Sequence, residues 1–260
     1  MDYLVKFTPA EALMVVKGPD IPLKDLLKAT FIDLLVKQVL QVFEVEKFIS
    51  SRDSIWVYKY VKEGPNFKTY KPNEHEQFFL QPFKTSGDAI LLRNFVKIAY
   101  QNSKGERAFK NLLHSNYNLK PLFTKTLIQF VFGGLTINAL GLKTQAILQS
   151  EIANLQAKLL PMLQSANTGA AAILLAINGN IVLLQDADDE FFNLIDKELL
   201  LAMSQQRGYD FDFAPDEWPD FDFDGISDSF DSSCGGHSGC GGHGCGGDGG
   251  CSGCGGCGGD

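Results

Sequence analysis

Pro22-Leu-Lys-Asp-Leu-Leu-Lys-Ala-Thr-Phe-Ile-Asp-Leu-Leu-Val36 reads as a helix with one apolar face. Leu23, Leu26, Leu27, Phe31, Leu34 and Leu35 recur at helical spacing, while Lys24, Lys28 and Lys37 fall elsewhere. Asp20 just before it and Pro22 in its first turn are start signals. Upstream, Thr8 precedes Pro9, and the stretch to about Val16 predicts a short helix. Downstream, 42–49 and 55–61 are rich in β-branched and aromatic residues, with Ser-Ser-Arg-Asp between them and Gly64-Pro65 after them. Two helices followed by a two-stranded ribbon predict a winged-helix-like N-terminal module over residues 1–72.

The rest of the body predicts a helical module over 73–207. Asn73-Glu-His-Glu76 fits a variant of the capping box, opening a helix to about Pro82. Further helices are expected near 88–102, 105–115, 121–132 and 141–164, with Gly133-Gly134 as a break and Pro161 weakening the last turn. The Ala-rich run 168–177 favours helix. Asn178-Gly179 is also a hairpin signal, with 181–184 as its second strand. The stretch 168–184 is the most apolar of the chain, but Asn178, Gly179 and Asn180 interrupt it, so burial in protein is expected rather than a membrane span. A last helix is expected over 190–206. The fold class that follows is mainly α with a small β-ribbon.

Charge divides the chain differently. Residues 208–260 hold eleven acidic residues and no Lys or Arg, which leaves 20 acidic and 23 basic residues in the body. A nearly neutral body gives no case for a large nucleic-acid footprint, and an acidic appendage repels nucleic acid and anionic lipid. Within 208–233, Asp210-Phe-Asp-Phe213 recurs as Asp220-Phe-Asp-Phe223 on either side of Pro-Asp-Glu-Trp-Pro. With two prolines and no basic residue this reads as a disordered linker, and 209–231 as a docking stretch for a partner protein or a modifying enzyme.

The end of the chain, 234–260, carries all six cysteines and two of the four histidines, set among fifteen glycines. It has no apolar side chains to bury, so it is expected to be disordered. Cys234, His237, Cys240 and His243 are each separated by two residues; Cys251, Cys254 and Cys257 repeat the spacing, and Cys245 stands between. That gap lets neighbouring ligands converge on one ion, and eight ligands suffice for two four-coordinate sites. Thiolate with imidazole suits Zn²⁺ or Cu(I). The fourth cysteine and the proline usual for an iron–sulfur cluster are missing, and no Cys-x-x-Cys-His is present for haem attachment. A tail modified at cysteine by a partner enzyme, and a low-complexity repeat, remain open beside metal binding.

The body supplies fewer candidates. His75 lies between Glu74 and Glu76 at a helix start, where adjacent residues diverge, so a solvent-facing position is expected. The acidic cluster 186–190 lacks the spacing of a calcium loop. No phosphate-cradling glycine motif and no serine or cysteine beside an evident base points to catalysis. Lys24, Lys28, Arg52, Lys59 and Lys62 together suit DNA phosphates only if they share one face of the winged-helix-like module.

Thr8-Pro-Ala-Glu-Ala-Leu13, the helix 26–40, Glu74-His-Glu76, the Ala-rich stretch near 170 and the repeating Cys-Gly-Gly end resemble an uncharacterised family of bacterial proteins with a helical body and a Gly/Cys-rich C-terminal tail. The resemblance implies no activity. The family's cysteine-rich tails invite the expectation of a partner enzyme that acts on them. The start of the chain lacks the basic segment and apolar run of a signal peptide, which predicts the cytoplasm, where thiols stay reduced. The expected function is therefore a non-enzymatic protein whose tail binds soft metal ions. The alternatives are a precursor-like substrate of a modifying enzyme, or a DNA-binding winged-helix protein.

Overall fold

The computed structural model describes residues 3–48, 55–86, 88–125, 134–165, 168–184, 195 and 223–234. A 3-10 helix (Leu4–Lys6) leads into α1 (Pro9–Lys17) and α2 (Leu23–Val36), then β1 (Leu40–Phe48) and β2 (Ile55–Glu63). Next come α3 (Gln77–Ser86), β3 (Ile90–Leu91), α4 (Leu92–Asn102), α5 (Glu106–Ser115), β4 (Phe123–Thr124) and β5 (Thr136–Ile137). The series closes with α6 (Ala139–Gln164), α7 (Thr168–Ile177), a second 3-10 helix (Asn178–Leu184) and α8 (Phe223–Cys234). The fold is mainly helical with a small antiparallel sheet, as the sequence predicts.

Local chemistry explains the helix ends. Thr8 and Glu11 form a full capping box: Thr8 Oγ1 accepts from Glu11 N, and Glu11 Oε2 accepts from Thr8 N at 2.8 Å. The C-terminus of α2 closes with two nested bonds, Gln38 N to Leu35 O (2.8 Å) and Val39 N to Leu34 O (2.9 Å). This is a Schellman turn, and Gln38 takes its left-handed position at φ 55°. The chain leaves that turn directly into β1. There Val42 faces Val61, Phe43 faces Tyr60, and Glu44 faces Lys59. β3 adds to β2 through Tyr60 and Val61, completing the sheet order β1-β2-β3.

α2 is the central helix, and residues 29–36 are all buried. It packs against α1, the second 3-10 helix and α8. Phe31 is the aromatic hub, with ring centroids 5.3 Å from Phe95, 5.8 Å from Phe230 and 6.2 Å from Phe79. α6 buries the stripe Leu148, Ile152, Leu155, Leu159 and Leu163, four or three apart, and retains Pro161 in its last turn. One core cluster runs from Leu4 to Phe230, so the stretches 1–72 and 73–207 share their core.

The structure departs from the sequence expectations at two places, 121–132 and 208–233. In 121–132, Phe123–Thr124 is not helical but pairs with Thr136–Ile137, while 126–133 lie outside the described residues. Asn138 closes that pairing, donating from N to Leu122 O (3.0 Å) and from Nδ2 to Pro121 O (2.9 Å). The run 168–177 is helical, as its Ala-rich composition favours, and continues as a 3-10 helix, so the hairpin alternative is not taken; the run is buried through Leu174, Ile177 and 181–184. No described helix is long and apolar enough to cross a membrane. The linker expected over 208–233 is helical from Phe223 on, because Ile226 and Phe230, four apart, insert between α2 and α4. The helix expected over 190–206 lies outside the described residues, apart from buried Ile195.

Candidate functional site

Of the eight predicted ligands, Cys234 is the last residue of α8. His237, Cys240, His243, Cys245, Cys251, Cys254 and Cys257 lie outside the described residues. α8 is held by Ile226 and Phe230, both nearly fully buried, and by an exposed ion pair between Lys24 Nζ and Asp231 Oδ1 at 2.7 Å. Part of the expected docking stretch 209–231 is thus already engaged with the chain's own body. Among the described residues, no three His, Cys, Asp or Glu side chains are grouped to hold a metal.

The body contains a polar cluster at the C-terminal end of α2. Lys37 Nζ donates to Asp33 Oδ2 at 2.6 Å and lies 3.9 Å from Glu76 Oε1. Tyr70 donates from its hydroxyl to Glu76 Oε1 at 2.9 Å, and Glu76 Oε2 accepts from Asn73 N at 2.6 Å. Asp33 Oδ1 accepts from Gly179 N at 3.1 Å. Lys37 and the two carboxylates therefore tie α2, the 64–76 loop and the second 3-10 helix together. Both carboxylates are buried, whereas the Lys37 side chain is 25 % exposed. Burial pushes the Asp33 carboxyl above its usual range, partly opposed by Lys37. Burial also raises the Tyr70 phenol, and the adjacent Glu76 adds to the effect. Two glycines permit this close approach. A Cβ on Gly179 would overlap the Asp33 backbone, and one on Gly64 would overlap the Gln38 carbonyl.

Outside Lys37 the surface opens into a cleft of about 590 Å³ between the end of α2, the 64–72 loop and the end of α7. Val36, Leu175 and Tyr70 supply its apolar wall. Lys37, Lys71, Thr69, Asn66 and Asn178 supply polar groups.

His75 is not at the surface: it is 1 % exposed, with its ring edge-on to Phe109 at 6.3 Å. The turn that places Glu76 in the cluster drives the preceding side chain into the core. Burial pushes His75 down to about 4, and its Nδ1 has no hydrogen-bond partner. His114 is likewise lowered by burial, with Nε2 unpartnered. The acidic cluster 186–190 lies outside the described residues.

The lysines considered for DNA are drawn into contacts within the chain. Lys24 meets Asp231, Lys59 lies 3.5 Å from Glu44, and Lys62 sits over the Phe43 ring; Arg52 lies outside the described residues. The sequence reading missed the polar cluster. Its signal was Asp33, the one acidic residue inside the apolar run 29–36.

Comparison of the chain with protein-family models, curated proteins and solved structures gives no match.

Proposed function

We propose that this is a non-enzymatic metal-binding protein of a reducing compartment such as the cytoplasm. In this reading a folded body carries a ligand run that takes Zn²⁺ or Cu(I) through Cys234, His237, Cys240, His243, Cys245, Cys251, Cys254 and Cys257. The observation that supports it is α8. This helix is anchored by Ile226 and Phe230 and ends on the first cysteine of the run. An anchored helix fixes the backbone at the first cysteine, which lowers the ordering entropy of capturing an ion. The partial negative charge at a helix C-terminus also favours a cation beside that residue.

Metal titration of the full chain against a chain ending at Gly236, which keeps α8, tests the proposal. The full chain is expected to take up about two ions with a competitive chelator present, and the shortened chain none. Equal, weak uptake by both would refute it. The native mass of the C-terminal peptide separates bound metal from covalent change at cysteine.

A further inference from the structure

We propose that the cleft beside α2 binds a small organic anion, its charged end met by Lys37 and Lys71 and its apolar body covering Val36, Leu175 and Tyr70. This is independent of the tail. The volume of about 590 Å³ falls within the range of small-molecule sites, and the lining combines an apolar wall with a few polar groups. Among the described residues, every charged residue that lines the cleft is a lysine. Asp33 and Glu76 stand behind Lys37 and do not line it. Their oxygens are already engaged by Lys37, Gly179 N, Tyr70 Oη and Asn73 N.

Lys37 has three N–H groups. Asp33 takes one at 2.6 Å and Tyr70 Oη a second at 3.4 Å, which leaves one for the solvent side. Lys71 is exposed and forms no ion pair among the described residues. The two carboxylates hold Lys37 in a fixed place and offset its charge, so Lys37 offers a ligand a preorganised N–H while the exposed Lys71 supplies the uncompensated positive charge.

The backbone sets the shape of the cleft. Three non-glycine residues in the described chain have positive φ, and two of them, Gln38 (55°) and Asn178 (49°), line this cleft. Both follow a helix directly, in the left-handed position that ends many helices. Gln38 turns the chain out of α2, and Asn178 turns it out of α7. Together they set the two rims.

Phenyl phosphate and benzoate, titrated separately into the full chain with a chelator present, test the site, and benzylamine serves as the analogue of opposite charge. Saturable binding of at least one anion is expected, and which of the two binds assigns a phosphate- or carboxylate-bearing ligand. Lys71→Gln should weaken it about five-fold, the effect of one exposed charge contact. Leu175→Trp, which fills the cleft, should abolish it in protein that still melts cooperatively. Lys143→Gln, an exposed lysine on α6, should leave it unchanged. The proposal is overturned if no anion saturates, if benzylamine binds as tightly, or if Lys143→Gln weakens binding as much as Lys71→Gln.

Discussion

His75 should make this fold acid-labile as pH falls from about 6.5 toward about 4. In the unfolded chain it titrates near 6.5; in the folded chain burial holds it neutral down to about 4. The pKa is lowered on folding, so the unfolded state binds the extra proton. Stability is then intact above 6.5 and is lost as pH falls toward 4. The gap is worth ~3 kcal/mol in full, and about 2 kcal/mol of it disappears between pH 7 and pH 5. Against a typical domain stability of about 5–15 kcal/mol this is a measurable loss.

The assay is urea unfolding of the wild type and of His75→Leu at both pH values. Leucine keeps the volume and removes Nδ1, which has no partner, so at pH 7 the variant should match the wild type to within about 1 kcal/mol. At pH 5 it should be the more stable by about 2 kcal/mol. Asp33, whose carboxyl burial raises, has the opposite sign and is common to both chains, so it cancels in the difference. Parallel loss of stability in the two chains would refute the assignment of a buried neutral imidazole.

Gly179→Ala should destabilise by about 2–4 kcal/mol, because its new methyl meets the Asp33 backbone and breaks the Gly179 N–Asp33 bond; thermal melting reads this out. Phe230→Ala should cost about 3 kcal/mol by emptying the place beside Phe31, whereas Asp231→Ala at the exposed ion pair with Lys24 should cost less than about 1 kcal/mol. Equal effects of these two substitutions, measured by urea unfolding, would mean that α8 is held at its surface rather than through its apolar face.

The elements that were legible in the sequence are those whose signals are local. Thr8, Pro9 and Glu11 specify the start of α1 within four residues. The apolar spacing from Leu23 to Leu35 specifies α2, and the β-branched runs specify the ribbon. What was not legible depends on partners far along the chain. Ile226 and Phe230 sit in an acidic, proline-flanked stretch, and only the groove between α2 and α4 makes them a helix face. His75 looks exposed beside two glutamates until Glu76 turns inward to Lys37 and Tyr70. The polar cluster joins positions 33, 37, 70, 76 and 179, and no sequence window spans them. Seven of the eight candidate ligands were legible as chemistry alone, since spacing carries donor identity but not placement.

The first helices also have a timing problem built into their bonding. Asn180 Nδ2 donates to the carbonyls of Leu4 (3.0 Å) and Phe7 (3.1 Å). Glu151 accepts from Leu4 N, Gln145 Nε2 donates to Val16 O, and Gly179 N donates to Asp33. Bonds at positions 4, 7, 16 and 33 are therefore completed by residues made more than a hundred positions later. At about 5–20 residues per second, a ribosome needs on the order of 10 s to travel from Val36 to Leu184. For that interval α1 and α2 have each other, and Phe31 has Phe79 and Phe95, but the contacts of both helices with the second 3-10 helix are still to come. The polar bonds that tie these helices to the body are thus among the later of the described contacts that synthesis makes available.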